Sequence, residues 1–282
     1  MIKEWIQEYN PQNKNDAESV LREIMQEVTL AGLSRAGFFE KAAFYGGTAL
    51  RIFYGLDRFS EDLDFSLLET DADFSIEPYF ESIIEEFQAI GMKVIIREKK
   101  KAIDSAFLKS ETIWKELVLE QIIPQAGVNT PPGLKIKIEV DRKPPLRFET
   151  EEKLLLRPFS FYVKCFTLPS LFAGKMHALL FRKWGQRVKG RDWYDLEWYI
   201  KKGIPLNLDH FLLRAKDSGD WEEKTISSEQ LIALIKEKIN AVSFERIRED
   251  IVKFIKDDSV LDIIGITDAG VLTYQTKASA TG

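Results

Sequence analysis

The 282-residue sequence predicts an α+β protein, a mixed sheet flanked by helices and followed by a mainly helical C-terminal region. Three observations lead there. Two segments, Asp62–Leu68 and Leu134–Asp141, alternate apolar and polar residues with the period of half-buried strands. Asp16–Ser34 instead spaces Val20, Leu21, Ile24, Val28 and Ala31 as one helical stripe. After Thr167-Leu168-Pro169 the pattern stays helical nearly to the end. That change places a boundary between an α/β domain over 1–166 and a helical domain over 167–282 with a flexible tail.

The remaining elements follow in order. Asn15 or Asp16 is the expected cap of the first long helix. Ala42–Tyr45 reads as a short strand, Thr48–Tyr54 as a helix closed by Gly55, and Asp71–Ala89 as a loop and amphipathic helix closed by Gly91. Met92–Arg97 is a strand and Glu98–Lys101 a charged hairpin or loop. The 102–134 stretch is the least regular: Ala106–Leu108 suggests strand, Ser110–Ile123 helix or strand, and Asn129–Gly133 a turn. Leu154–Phe166 supplies one or two strands. Helices are expected from Pro169-Ser170, from Arg191-Asp192, and over Asn207–Lys216, Ser228–Ile239 and Phe244–Lys256, with Ser227 and Gln230 forming a capping box. Thr267–Gly282 is polar and small and reads as a frayed end.

Composition narrows the function classes. With 45% hydrophobic and 30% charged residues the chain has the balance of a soluble globular protein. No apolar run approaches the length that spans a bilayer, and the opening MIKEWIQEYN lacks a signal peptide's apolar core, so a cytoplasmic location without membrane attachment is expected. The single Cys165 excludes an internal disulfide and reads as a core strand residue. His177 and His210 are too few and too scattered for a zinc site. The net charge of −5 argues weakly against general nucleic-acid binding. Its distribution argues the other way: Lys153 to Arg191 holds nine Lys/Arg and no Asp or Glu, five of them within the 182–191 segment. Beside a nucleotide site such a run suits triphosphate or an RNA backbone.

The chemistry concentrates in Tyr45–Leu68. Asp62 and Asp64 leave the same face of their strand, while Leu63, Phe65 and Leu67 leave the other. Two unit charges about 4 Å apart repel by roughly 4 kcal/mol at an effective dielectric near 20, so something must offset them. Hard oxygen ligands at this spacing suit Mg²⁺ or Mn²⁺. Thirteen residues separate the Gly46-Gly47-Thr48 turn from Asp62. Its glycines let backbone approach a ligand, and the N–H groups opening the next helix attract phosphate.

A glycine turn followed at this distance by Asp-Leu-Asp on a strand resembles the polymerase-β-like nucleotidyltransferases. The fuller strings GGTALR and RFSEDLDF resemble the AbiEii/AbiGii-type toxin nucleotidyltransferases in particular. The resemblance runs over about residues 40–200 and implies a polymerase-β-like core. On LKIKIEVD it implies a third carboxylate, best matched by Glu139 with Asp141 as competitor, that joins Asp62 and Asp64 in holding two Mg²⁺ (or Mn²⁺) ions and acts as general base. Gly46, Gly47, Thr48 and Ser60 are then expected to hold phosphates of an NTP, with Arg51 and Arg58 adding positive charge.

The later segment Leu168–Tyr199 resembles the same family in its helix lysine followed by Arg-Asp-x-x-Asp. By that likeness Lys175 supplies charge to the triphosphate, Arg191 contacts phosphate, and Asp192 or else Asp195 is the late acidic residue, so that the helical domain completes the active site. Lys175 and Arg182, seven apart, are expected on one helix face. Trp184, Trp193, Tyr194, Trp198 and Tyr199 are read as core, with at most one stacking a base. The function implied is a toxin of a toxin–antitoxin or abortive-infection system that transfers NMP to RNA, at the tRNA 3′ end, and has a cognate antitoxin. Two other readings compete: transfer to a small molecule such as an aminoglycoside or to a protein side chain, and a nucleotide-binding module without turnover.

Overall fold

A computed structural model describes residues 1–98, 112–122, 134–182 and 188–255. The sequence readings for Ala106–Leu108, Asn129–Gly133, Trp184 and Thr267–Gly282 lie outside these residues, as does all but the first residue of Glu98–Lys101.

The chain forms a seven-stranded mixed sheet with flanking helices, the α+β arrangement expected. The strands are β1 (Ala42–Tyr45), β2 (Asp62–Leu67), β3 (Met92–Glu98), β4 (Thr112–Ile122), β5 (Lys135–Asp141), β6 (Thr150–Leu155) and β7 (Phe161–Phe166), and their order across the sheet is β3-β4-β5-β2-β1-β7-β6. The described part of the ambiguous Ser110–Ile123 stretch, Thr112–Ile122, is thus strand, paired antiparallel to both β3 and β5. Leu154–Phe166 divides between β6, which starts earlier at Thr150, and β7.

The nine helices among the described residues are α1 (Ile2–Glu8), α2 (Lys14–Arg35), α3 (Gly46–Tyr54), α4 (Phe80–Ala89), α5 (Leu168–Phe181), α6 (Gly190–Lys202), α7 (Leu208–Asp217), α8 (Ser228–Ala241) and α9 (Phe244–Ile251). Several ends differ from the sequence reading for local reasons. The α2 cap is Asn13, whose extended backbone lets its side chain accept from the Asp16 N–H, so the helix opens earlier than Asn15 or Asp16 would allow. α3 begins at Gly46, two residues before Thr48, so the double glycine is the helix's first turn. α5 stops at Phe181 because Arg182 takes extended φ/ψ, which removes Arg182 from the helix face of Lys175. The capping box of α8 forms as expected between Ser227 and Gln230.

Two compact units divide the chain. One comprises 1–55, 59–144 and 150–165; the other comprises 56–58, 145–149 and 166–282. In the first, Val20, Leu21, Ile24, Val28 and Ala31 of α2 are buried against a core that includes Leu63, Phe65, Ile136, Ile138 and Val140. Phe38 meets Phe65 edge-on at 5.0 Å, and Phe44 lies 5.3 Å from the same ring. In the second unit α6 is buried on nearly every side, including Trp193, Tyr194, Trp198 and Tyr199, and Tyr199 stacks on Phe172 at 4.3 Å. These four aromatics are core residues.

Close backbone packing fixes α2 against α4: a Cβ on Gly32 would come within 2.5 Å of Ile83 Cα. Alanine is the better helix former by about 1 kcal/mol, so on propensity alone Gly32→Ala stabilises. The packing argument has the opposite sign and is larger, because the two helices must separate. Gly32→Ala is expected to destabilise by about 1–3 kcal/mol in urea unfolding.

Candidate active site

In the first unit the site is built on β2. Its partners on either side are β1, antiparallel, with Tyr45 opposite Asp64, and β5, parallel, with Lys137 opposite Asp62 and Glu139 opposite Asp64. Residues in register share a face. Asp62, Asp64, Lys137 and Glu139 therefore stand together, half-buried, while Leu63, Phe65, Ile138 and Val140 fill the core on the reverse. Asp141 falls one step further along, opposite Ser66, and accepts from the Lys143 N–H. Between the two candidate third carboxylates, Glu139 is the one set beside the aspartate pair.

The glycine turn meets this group directly. Gly46 has φ +85, and a Cβ there would collide with Asp64 Oδ2 and lie 3.0 Å from its Cγ. Glycine is required twice over, by the left-handed backbone and by the carboxylate against it. The α3 N-terminus has no side-chain cap and no acidic residue in its first turn, an arrangement suited to an anion. Thr48 is fully buried, and its hydroxyl donates to the Asp62 backbone carbonyl. That side chain ties α3 to β2. Ser60 accepts through its carbonyl from Gln26 Nε2 at 3.1 Å. Arg51 pairs with the buried Glu23 at 2.9 Å and lies 4.7 Å over the Phe59 ring.

One member of the group was not singled out from the sequence. Lys137 Nζ lies 3.2 Å from Asp62 Oδ1, and this oxygen, although buried, has no hydrogen bond of good geometry. Burial alone would lower the Lys137 pKa, but Asp62, Glu139 and Glu61 outweigh it and raise the value. The signal was present in LKIKIEVD, where Lys137 shares the polar face of Glu139; the partnership with β2 was not.

Whether these residues suit a divalent cation can be tested on the donors. Among the described residues no three His, Cys, Asp or Glu side chains converge as a ready-made metal cage. Mg²⁺ does not need one, since it is commonly held by one or two carboxylates with water and substrate phosphate completing the shell. The buried, hydrogen-bond-poor Asp62 Oδ1 and the glycine-flanked Asp64 carboxylate fit that mode.

The second unit holds Arg58, Lys175, Asp192 and Asp195 in one ion cluster. Arg58 is fully buried and closes its fork on Asp195, with Nε to Oδ1 at 2.7 Å and Nη2 to Oδ2 at 2.6 Å. Lys175 Nζ sits 2.7 Å from Asp195 Oδ2 and 3.6 Å from Asp192 Oδ1. Burial would raise the Asp195 pKa, but Arg58 and Lys175 outweigh it and hold it at about 2. Arg58, expected at phosphate, is paired in this structure with Asp195. Asp192 differs: its Oδ2 is buried with no hydrogen-bond partner. Arg191 lies with its guanidinium 4.1 Å over the Phe254 ring. Lys189 is pushed down to about 8, first by burial and then by Arg182, Arg191 and Lys175, against the pull of Asp192. Of the basic 182–191 segment, Lys183 and Arg187 lie outside the described residues.

A solved structure described as a candidate nucleotidyltransferase from H. pylori matches this chain with TM-score 0.50 and 17% identity, covering 91% of each chain. A second, JHP933 from Helicobacter pylori, gives TM-score 0.49 and 19% identity over 93% of this chain and 92% of that one. No curated protein matches the chain. The family whose sequence model matches the chain makes the protein an enzyme of the nucleotidyltransferase class. The sequence model of the family described as "Nucleotidyl transferase AbiEii toxin, Type IV TA system" matches residues 28–264. The chain belongs to that family, whose members are toxins of type IV toxin–antitoxin systems and so imply an antitoxin partner. Among the described residues no helix is long and apolar enough to cross a membrane.

Two glycines separate strain from chemistry. Gly46 and Gly55 both have positive φ, but a Cβ at Gly55 meets nothing within 4 Å. Alanine at either position is expected to cost about 1–2 kcal/mol of stability. Only Gly46→Ala also displaces Asp64, and its nucleotidyl transfer should fall on the order of a hundredfold, measured beside Gly55→Ala as control. Lys189 gives a pH signature. Its folded pKa of about 8 lies below its ordinary 10.5, so the cost of holding its charge is full below pH 8 and fades as pH rises toward 10.5. Lys189→Met should therefore melt higher than wild type at pH 7, with the gap closing at alkaline pH in thermal melts.

Proposed function

We propose that this chain is a Mg²⁺- or Mn²⁺-dependent nucleotidyltransferase that moves NMP from an NTP to an RNA acceptor, the 3′ end of tRNA, and so blocks aminoacylation and translation. The observation that carries the reading is the register of β2 with β5, which sets Glu139 beside Asp64 and leaves Asp62 and Asp64 on the same face against the Gly46 turn.

In this scheme Asp62 and Asp64 hold the divalent cation, which when bound neutralises phosphate charge. The amides opening α3 at Gly46, Gly47 and Thr48 receive phosphate oxygens. Glu139 takes the proton of the acceptor hydroxyl as its oxygen forms a bond to the α-phosphorus. The bond from that phosphorus to the bridging oxygen breaks, and pyrophosphate leaves with the electron pair. In the second unit Lys175 supplies fixed positive charge and Asp192 the late carboxylate, while Asp195 keeps Lys175 in place. The cationic group of Arg182, Lys189 and Arg191 favours a polyanionic acceptor, hence RNA.

Incubation with each labelled NTP, Mg²⁺ and total RNA, followed by a gel, tests the proposal. Label is expected in the tRNA band, and EDTA or Asp62→Asn should reduce it to background. Label confined to a small molecule or to protein would replace the acceptor; label nowhere would leave a binding module. Incorporation that survives Asp62→Asn would overturn the assignment of the carboxylate pair.

A further inference from the structure

Resting on the reading of Asp62 and Asp64 as cation ligands, we propose that Lys137 is a positioning residue that makes the site prefer a divalent cation carried on a triphosphate over the bare ion. Lys137 faces Asp62 across the parallel β2–β5 ladder, and its Nζ lies 3.2 Å from Asp62 Oδ1. The pair is a close ion contact, and both side chains keep about a third of their surface open to water. A solvent-screened pair of this kind is readily exchanged, because water can replace either partner.

The consequences for an arriving cation depend on what it brings. A bare divalent ion approaching Asp62 meets a positive charge already seated at the oxygen it needs. It must displace the ammonium into water or bind beside it, and both weaken binding. An ion bound to triphosphate brings anionic oxygens with it. The four-carbon lysine stem lets the ammonium pass from Asp62 to a phosphate oxygen while the cation takes the carboxylate. One side chain therefore opposes the ion alone and favours the ion–triphosphate complex. A lysine that only supported the fold would move both affinities the same way or neither.

The side chains of Lys137 and Asp62 are 35% and 30% exposed, which puts the effect on the scale of a solvent-screened pair. The experiment is a Mn²⁺ titration followed by electron paramagnetic resonance, with and without inorganic tripolyphosphate, a probe that does not depend on the base. Relative to wild type, Lys137→Gln is expected to bind bare Mn²⁺ about two- to fivefold tighter and Mn²⁺–tripolyphosphate about two- to fivefold weaker. Lys137→Arg, which keeps the charge, should match wild type in both. Lys137→Gln shifts that share a sign or are absent would overturn the proposal, as would Lys137→Arg behaving like Lys137→Gln. Asp62→Asn separates the two levels of argument. If it holds Mn²⁺ as tightly as wild type, the cation reading of Asp62 fails. If it loses Mn²⁺ while Lys137→Gln does not differ from wild type, only the role of Lys137 fails.

Discussion

Hydrophobic burial on one side of β2 and β5 dictates the chemistry on the other. A strand has a side-chain period of two, so slipping its register by one residue would turn Leu63 and Phe65 to the polar side and the aspartates into the core. The reverse face is closed by Ile136, Ile138 and Val140, all fully buried. The core thus enforces an adjacency that electrostatics alone would resist, three carboxylates and one ammonium on neighbouring positions. Repulsion among the acids is tolerated because the apolar face holds the ladder, and because Lys137 offsets part of it.

The second unit solves a related problem by other means. Its charges lie on helices and, for Arg58, on a bend, where no ladder fixes them, and they are held by mutual pairing instead. Arg58 and Asp195 form a fork with both oxygens engaged, and Lys175 leans on the same carboxylate. A buried ion pair of this geometry adds little net stability, yet removing one partner is costly because the other is left charged and dry. Asp195 and Asp192, three positions apart on α6, accordingly have different environments. One is saturated, while the other keeps a buried oxygen without a hydrogen bond.

Much of this is legible in the sequence. The alternation in Asp62–Leu68 and Leu134–Asp141 located two central strands, since each buries one face and must repeat with period two. Glycine next to a helix start also locates the turn, although the helix takes in both glycines. Pairing between distant segments was not readable. Lys137 looked like any polar-face lysine, since nothing local records that β5 runs parallel beside β2. Arg58 looked like a cation next to the acidic motif, and only the tertiary fold shows it facing Asp195 from 137 positions away. Arg182 was misplaced because a helix end set by a single extended residue leaves little trace in periodicity. Thr112–Ile122 is ambiguous in sequence for the opposite reason: a strand with neighbours on both sides loses the clean alternation of a half-exposed one.

The path of the chain has its own corollary. Residues 56–58 belong to the second unit although β2 and the rest of the first unit follow them, and 145–149 make another such excursion. No single cut therefore yields either unit whole. A fragment ending near residue 166 would retain Arg58 and discard Asp195, breaking the fork that the intact chain closes. Modular exchange by recombination at one junction is closed to this architecture, and its two halves must be inherited together.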